Sequence, residues 1–256
     1  MKLARRILPP TILLIALLGA WELYVDLGGV DPFVLPSPHT VASSLYTDRS
    51  LLWSNFLVTA KEVILGSVAA IIFGFGIAVA IHLSRSLRAA VYPLLIGSQA
   101  VPVVVLAPVL ALWLGFGLAP KLVVVALVSF FPIVVTTLAA FAALDADLMK
   151  LMETFDASRL RTFWHVELPA ALPGVFAGAK IAVAVSVIGA VFAEWNASTS
   201  GLGYLLLQSL NQVLPAREMA SVVILSLFAV SLFGLFALAQ RALVPWAYQP
   251  RGELAQ

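Results

Sequence analysis

The sequence predicts an all-α, polytopic membrane protein with six transmembrane helices and a short helix in the loop between the fourth and fifth. Of its 256 residues, 62% are hydrophobic and 11% are charged, whereas soluble domains average about 45–50% apolar residues. The apolar segments are long, and one polar loop, 145–172, interrupts them in the second half of the chain. A water-soluble fold could not bury that much apolar surface, so lipid is the expected surrounding.

A membrane-spanning helix needs about 20 mostly apolar residues. Six segments meet that length, at about 7–27, 57–83, 89–113, 120–143, 173–195 and 219–240. The first begins like a signal peptide but continues to Tyr24 without a small-x-small cleavage site, so we expect it to remain as a span. No internal repeat is evident, and the sequence predicts a single transmembrane domain over 1–256.

The basic residues predict the orientation of the chain. Lys and Arg concentrate at the N-terminus, in the loop after the second span, in the 145–172 loop and after the last span. Because loops rich in Lys and Arg stay in the cytoplasm, both termini and the 145–172 loop are expected there. The predicted location is the plasma membrane.

No catalytic or metal-binding constellation is apparent. Cysteine is absent, and His39, His82 and His165 are far apart in sequence, without metal-ligand spacing. No glycine-rich loop carries the Lys and Ser or Thr that would hold a nucleotide phosphate, so no cofactor is expected in this chain. The basic residues form no nucleic-acid patch. The sequence therefore favours a transport protein over an enzyme.

A few residues within the spans are candidates for a translocation pathway. Pro102 and Pro132 lie inside predicted spans three and four, where they either kink the helices or mark a pathway wall. Glu194 lies near the outer end of span five, either at the mouth of a pathway or as an interface carboxylate that reaches water. Gly174 and Gly178 are four residues apart, a spacing that favours close helix packing.

The polar loop predicts a short amphipathic helix near 157–165, because its apolar residues recur at helical spacing. Asp156 is placed to cap its first turn, and Pro169 to end it. A cytoplasmic helix with exposed Phe163 and Trp164 requires either a partner groove or the lipid surface.

This loop resembles that of the permease subunits of bacterial ABC importers. Their pattern is Glu-Ala-Ala, three residues, Gly, nine residues and Ile-x-Leu-Pro. The sequence Val166-Glu167-Leu168-Pro169 is similar to its end, and Asp156 stands nine residues before Val166, where the pattern has Gly. The Glu-Ala-Ala triplet falls on Lys150-Leu151-Met152 and does not match.

Other motifs place the resemblance within one branch of these permeases. Leu35-Pro36-Ser37-Pro38 and the combination of Glu194 with Gly201-Leu202-Gly203-Tyr204 look like the nitrate, sulfonate and taurine branch. Within it, Leu114-Gly115-Phe116-Gly117 and the stretch 188–194 are most similar to permeases for pyrimidine thiamine precursors or riboflavin.

The resemblance implies a permease subunit of an ATP-driven importer of a small organic solute, a thiamine-precursor pyrimidine or riboflavin. Alternatives are the same subunit type for nitrate, sulfonate or taurine, or a secondary transporter, for which coupling-ion sites would be needed. The implied partners are an ABC ATPase dimer that binds ATP and Mg, a second permease copy in a homodimer, and an extracytoplasmic substrate-binding protein. A coupling helix, at about 153–166, would dock on the ATPase. The coupling residues that the resemblance implies are Asp156, Ala157, Ser158, Arg159, Leu160, Phe163, Trp164, Val166, Leu168 and Pro169.

Overall fold

The computed structural model describes residues 2–248, and every regular element within them is a helix. The first half of the chain forms α1 (Lys2–Gly28), α2 (Pro38–Thr47), α3 (Arg49–Leu83), α4 (Arg85–Ser98), α5 (Val103–Leu114) and α6 (Leu118–Ala142). The second half forms α7 (Ala146–Thr154), α8 (Arg159–Thr162), a π-helical turn (Phe163–Glu167), α9 (Leu168–Ala197), α10 (Leu202–Asn211), α11 (Pro215–Leu243) and a 3-10 turn (Pro245–Tyr248). The prediction of an all-α membrane protein is confirmed.

Within the described residues, five helices are long and apolar enough to cross a membrane. They are Leu8–Gly28, Arg49–Leu83, Leu118–Ala142, Arg159–Asn196 and Pro215–Leu243. They correspond to predicted spans one, two, four, five and six, although the second begins at Arg49 instead of 57.

The prediction of a continuous third span over 89–113 is wrong. The chain forms α4 and α5 instead, joined by a turn at residues 99–102, in the middle of the predicted span. Pro102 is the N-cap of α5. Its ring removes a backbone N–H and disfavours helical geometry for the residue before it, which explains the break at this point.

The chain divides into two compact units. One of them consists of the residues up to Thr59 together with Thr199–Ser226. In this unit the backbone N–H of Gly201 donates to Asn55 Oδ1 at 2.7 Å. Asp48 accepts two hydrogen bonds from Arg217, at 3.1 Å and 2.9 Å. The Arg217 guanidinium holds the pKa of Asp48 below its ordinary value. These bonds fasten the loops of this unit to its helices.

The other unit covers Ala60–Ser198 and continues from Leu227. At its centre α6 packs against α9, and α5 packs against both of these helices. Two glycines of α3, Gly66 and Gly74, lie against α6. A Cβ added at Gly174 would lie 2.4 Å from Ala140 Cβ, and one added at Gly178 would lie 1.9 Å from Thr136 Oγ1. The packing role predicted for these two glycines is confirmed. That the whole chain forms one transmembrane domain stays a prediction.

Candidate coupling site

The polar loop begins with α7, which ends in a left-handed turn at Asp156. Asp145 caps α7 by accepting the N–H of Asp147 at 2.9 Å. At the other end, Asp156 has φ +52°, its N–H donates to Glu153 O at 3.0 Å, and the N–H of Ala157 donates to Met152 O at 3.1 Å. This pair of bonds is the Schellman arrangement, which favours Gly at the left-handed position. The Gly of the related pattern is therefore explained by the left-handed backbone conformation at this position, which Asp156 adopts in this chain.

The predicted role of Asp156 as an N-cap is wrong. The cap of α8 is Ser158, whose Oγ accepts the N–H of Arg161 at 3.4 Å. Asp156 cannot serve because it belongs to the C-terminal turn of α7, two residues before the cap position. Asx and Ser side chains are equally common caps, so the sequence alone did not separate the two.

The predicted end of the helix at Leu168-Pro169 is also wrong, because the helix continues through these residues into α9. A proline inside a helix removes one hydrogen bond and clashes with the carbonyl four residues earlier. Here the preceding turn is π-helical, and the N–H of Leu168 donates to Phe163 O. The widened turn accommodates Pro169 and joins the loop directly to a membrane-spanning helix. π-turns of this kind are frequent at functional sites.

The loop presents an apolar surface to solvent, here called the docking face and defined as Phe155, Leu160 and Trp164. The exposed fractions of Leu160 and Trp164 are 64% and 58%. Phe163, which we expected to be exposed, is 3% exposed. It turns inward because it packs with Phe141 in a cluster that also holds Ala171.

Behind the docking face, a buried polar cluster holds the helix in place. Glu167 accepts a hydrogen bond from Arg159 at one carboxylate oxygen, and its other oxygen lies 2.7 Å from His82 Nε2. The His82 ring stacks on Phe141 with centroids 4.1 Å apart and an angle of 14°. Glu167 is buried and both of its oxygens are paired, so the cluster meets the condition under which a buried charge is tolerated.

Sequence reasoning missed His82 and Glu167. For His82 a signal was present, since it is an ionisable residue near the end of a long apolar stretch, whereas Glu167 lies in the polar loop, where a carboxylate draws no attention. What the sequence could not give is their pairing across 85 positions. The other predicted coupling residues, Ala157, Val166, Leu168 and Pro169, are half-buried at the base of the same segment.

The three predicted pathway residues lie on three different helices, α5, α6 and α9. Pro132 lies within α6, and Pro102 begins α5. Glu194 is 0% exposed, beside the Glu62 carboxyl. Lys121 Nζ donates to Glu62 Oε1 at 2.6 Å and to Ser198 Oγ at 2.7 Å. Glu194 therefore belongs to a buried charged cluster and does not reach water within this unit.

The chain matches the family model of the binding-protein-dependent transport system inner membrane component over residues 64–247. It is 38% identical over 204 residues to a probable ABC transporter permease protein of Haemophilus influenzae, covering 80% of this chain and 83% of that protein. It is 31% identical to the formylaminopyrimidine transport permease ThiX of Halalkalibacterium halodurans, covering 96% of this chain and 98% of that protein. It is 34% identical to the riboflavin transport permease RibX of Chloroflexus aurantiacus, covering 93% and 89%.

Among solved structures, an inward-facing MetNI methionine ABC transporter has the same fold. The TM-score is 0.62 at 17% identity, and the match covers 74% of this chain and 96% of that chain. A membrane-spanning helical core, a loop helix joined to a span, and these relatives lead to one assignment. The chain belongs to the family of inner-membrane components of binding-protein-dependent transport systems, as the permease subunit of an ABC importer.

Proposed function

We propose that this permease imports a small organic solute, a thiamine-precursor pyrimidine or riboflavin, and that its docking face receives the force of ATP hydrolysis. Two copies of the chain would form a homodimer on an ABC ATPase dimer, which binds ATP and Mg. An extracytoplasmic binding protein would deliver the solute to the outer loops. The observation that carries the proposal is that the docking face is exposed while the opposite side of the same helix, with Phe163 and Glu167, is buried.

The geometry of the loop suits force transmission. Leu160 and Trp164 are one turn apart on one side of the helix and point away from the unit. On the other side, Phe163 and Glu167 are buried against Phe141 and His82. When a partner protein binds the exposed side and moves, the residues on the buried side must therefore move with it. ATP can drive this motion only if it binds the closed ATPase state more tightly than the open one.

The choice of solute rests on the relatives. ThiX is named for formylaminopyrimidine transport and RibX for riboflavin transport, and each match covers nearly the whole of this chain. The alternative, suggested by the resemblance of the outer-loop motifs, is nitrate, a sulfonate or taurine. The secondary-transporter alternative is set aside, because the family assignment makes this chain an ABC importer subunit.

The first test is co-purification of the tagged chain after gentle extraction from its native membrane. Mass spectrometry should find an ATP-binding subunit in near-equal amount. A chain that purifies alone, from membranes that contain its complex, would contradict the proposed coupling.

The second test is Trp164→Ala. Tryptophan is the residue type whose truncation most often costs more than about 2 kcal/mol at interfaces. We expect uptake to fall more than tenfold while membrane insertion and yield stay unchanged. The matched control is Trp53→Ala, which removes another exposed tryptophan, from α3. Normal uptake in the Trp164 variant would refute the assignment of the docking face.

A further inference from the structure

We propose that the cavity at the turn between α4 and α5 is a binding site for the transported solute, and that it takes an uncharged nitrogen heterocycle. The inference rests on the proposed function and adds the place at which the solute binds and a physical reason why a charged solute is excluded there. The cavity has a volume of about 330 Å³, which is within the range of small-molecule sites, roughly 300–1,000 Å³. Its lining comes from α4, the turn, α5 and α6.

The position of the turn in the membrane is the first argument. Phe130, on the cavity wall, lies at the middle of α6, which is long and apolar enough to cross the membrane. The cavity is therefore at mid-depth in the bilayer. Non-helical backbone at that depth is tolerated only where protein covers it or where it lines a water-filled space. Leu94, in α4, and Val101, within the turn, are exposed in this chain. This face must border a pathway or a partner instead of lipid.

The second argument is the polar groups of the lining. Gln99 and Ser98 are its polar residues. Ser98 Oγ donates to Leu95 O at 2.7 Å, which leaves the hydroxyl oxygen free to accept. The Gln99 side chain is exposed, and none of the described residues forms a hydrogen bond with it. An amide at mid-depth without a partner costs free energy. A nitrogen heterocycle that carries N–H groups beside ring nitrogens or carbonyl oxygens would supply both a donor for the amide oxygen and an acceptor for the amide NH2.

The third argument is charge. The lining that this chain supplies contains no Lys, Arg or His. A sulfonate or nitrate at this depth would be an anion without a counter-charge, and zwitterionic taurine would bring two charged groups without protein partners; either is far more expensive than an unpaired amide. A neutral heterocycle would lose only weak hydration there, and Phe130 offers an aromatic surface for its ring. The site therefore favours the uncharged heterocycles over the charged alternatives.

The test is equilibrium dialysis with the solubilised complex of this chain and its ATPase, without the binding protein. Three probes are used: riboflavin, formylaminopyrimidine and taurine. We expect saturable binding of riboflavin or formylaminopyrimidine and none of taurine; which of the two binds identifies the heterocycle. Gln99→Leu removes the amide at similar size, and losing one such hydrogen bond should raise the Kd about tenfold.

Two controls separate binding from folding and assembly. Gln212→Leu makes the same change at an exposed position outside the cavity and should leave the Kd unchanged. Phe130→Leu should weaken binding, whereas Phe73→Leu, on an exposed face of α3, should not. Binding of taurine alone, of none of the three probes, or with equal affinity in Gln99→Leu would overturn the site. Loss of the permease pair in Gln99→Leu would show that a second copy fills the cavity, and would also overturn it. Absence of the ATPase from the preparation would instead contradict the proposed function.

Discussion

At the residue scale, two side chains occupy backbone positions that favour glycine. Asp156 has φ +52° and Val213 has φ +56°. Val213 ends α10 in the same arrangement as Asp156 ends α7, since the N–H of Leu214 donates to Ser209 O at 2.9 Å. Left-handed backbone costs L-residues roughly 1–2 kcal/mol and is least suited to a β-branched side chain. Both positions therefore hold local strain that a glycine would relieve.

Val213→Gly should stabilise the protein, by about 1 kcal/mol, because the hydrogen bonds remain and the strain is removed. The midpoint of thermal unfolding in detergent measures the effect. Val222→Gly provides the control, because Val222 lies inside α11 and its loss should destabilise by a similar amount. Equal destabilisation by both changes would show that Val213 is not strained. Asp156→Gly should stabilise less, because Asp tolerates this conformation better.

At the scale of elements, the packing of α9 against α6 depends on the absence of side chains. Pro132 O would lie 3.1 Å from a Cβ at Gly178, and Thr136 Oγ1 would lie closer still. Helices in lipid gain no hydrophobic free energy from association, so they rely on such close approach.

Gly178→Ala should therefore push α9 from α6 and destabilise the protein by roughly 1–3 kcal/mol. Gly76→Ala is the matched control, because Gly76 lies within α3 and a Cβ there meets nothing within 4 Å. That change should be neutral or slightly stabilising. Thermal unfolding and the fraction of monodisperse protein after extraction measure both. If Gly178→Ala lowered the stability no more than Gly76→Ala does, the result would contradict the close packing of α9 against α6.

Sequence reasoning succeeded where a single helix determines the pattern. Long apolar segments predicted the five spanning helices, and the spacing of Gly174 and Gly178 predicted close packing. It failed at 89–113, because hydropathy does not register that Pro102 interrupts the hydrogen bonds of an otherwise apolar stretch. It also failed at Leu168-Pro169, where a π-turn accommodates a proline that usually ends a helix. The pairings of His82 with Glu167 and of Lys121 with Glu62 join distant positions, which local patterns cannot reveal.

At the scale of the whole molecule, the proposed orientation places the docking face inside the cell and α2 outside it. The sequence contains no cysteine, so a single introduced cysteine reports its own side of the membrane. Ser43, in α2, and Glu153, in α7, are both exposed.

In intact cells, a membrane-impermeant maleimide should label Ser43→Cys and leave Glu153→Cys unlabelled. After the cells are broken open, both should react, which controls for the reactivity of the second site. Labelling of Glu153→Cys in intact cells would reverse the orientation and remove the docking face from any cytoplasmic ATPase.

The helical segment that carries Leu160 and Trp164 of the docking face also crosses the membrane, so its length determines how far a tilt at this face is transmitted. From Arg159 to Asn196, α8, the π-helical turn and α9 follow one another without a break for 38 residues, about 57 Å at the α-helical rise of 1.5 Å per residue. One end bears the exposed Trp164, and the other ends two residues beyond the buried Glu194. If this segment pivots about one end as a rigid body, a tilt of about 5° displaces the other end by roughly 5 Å, given a length of about 57 Å at the helical rise. A small step of the ATPase would thus become a displacement about as large as a helix radius at the far side of the membrane.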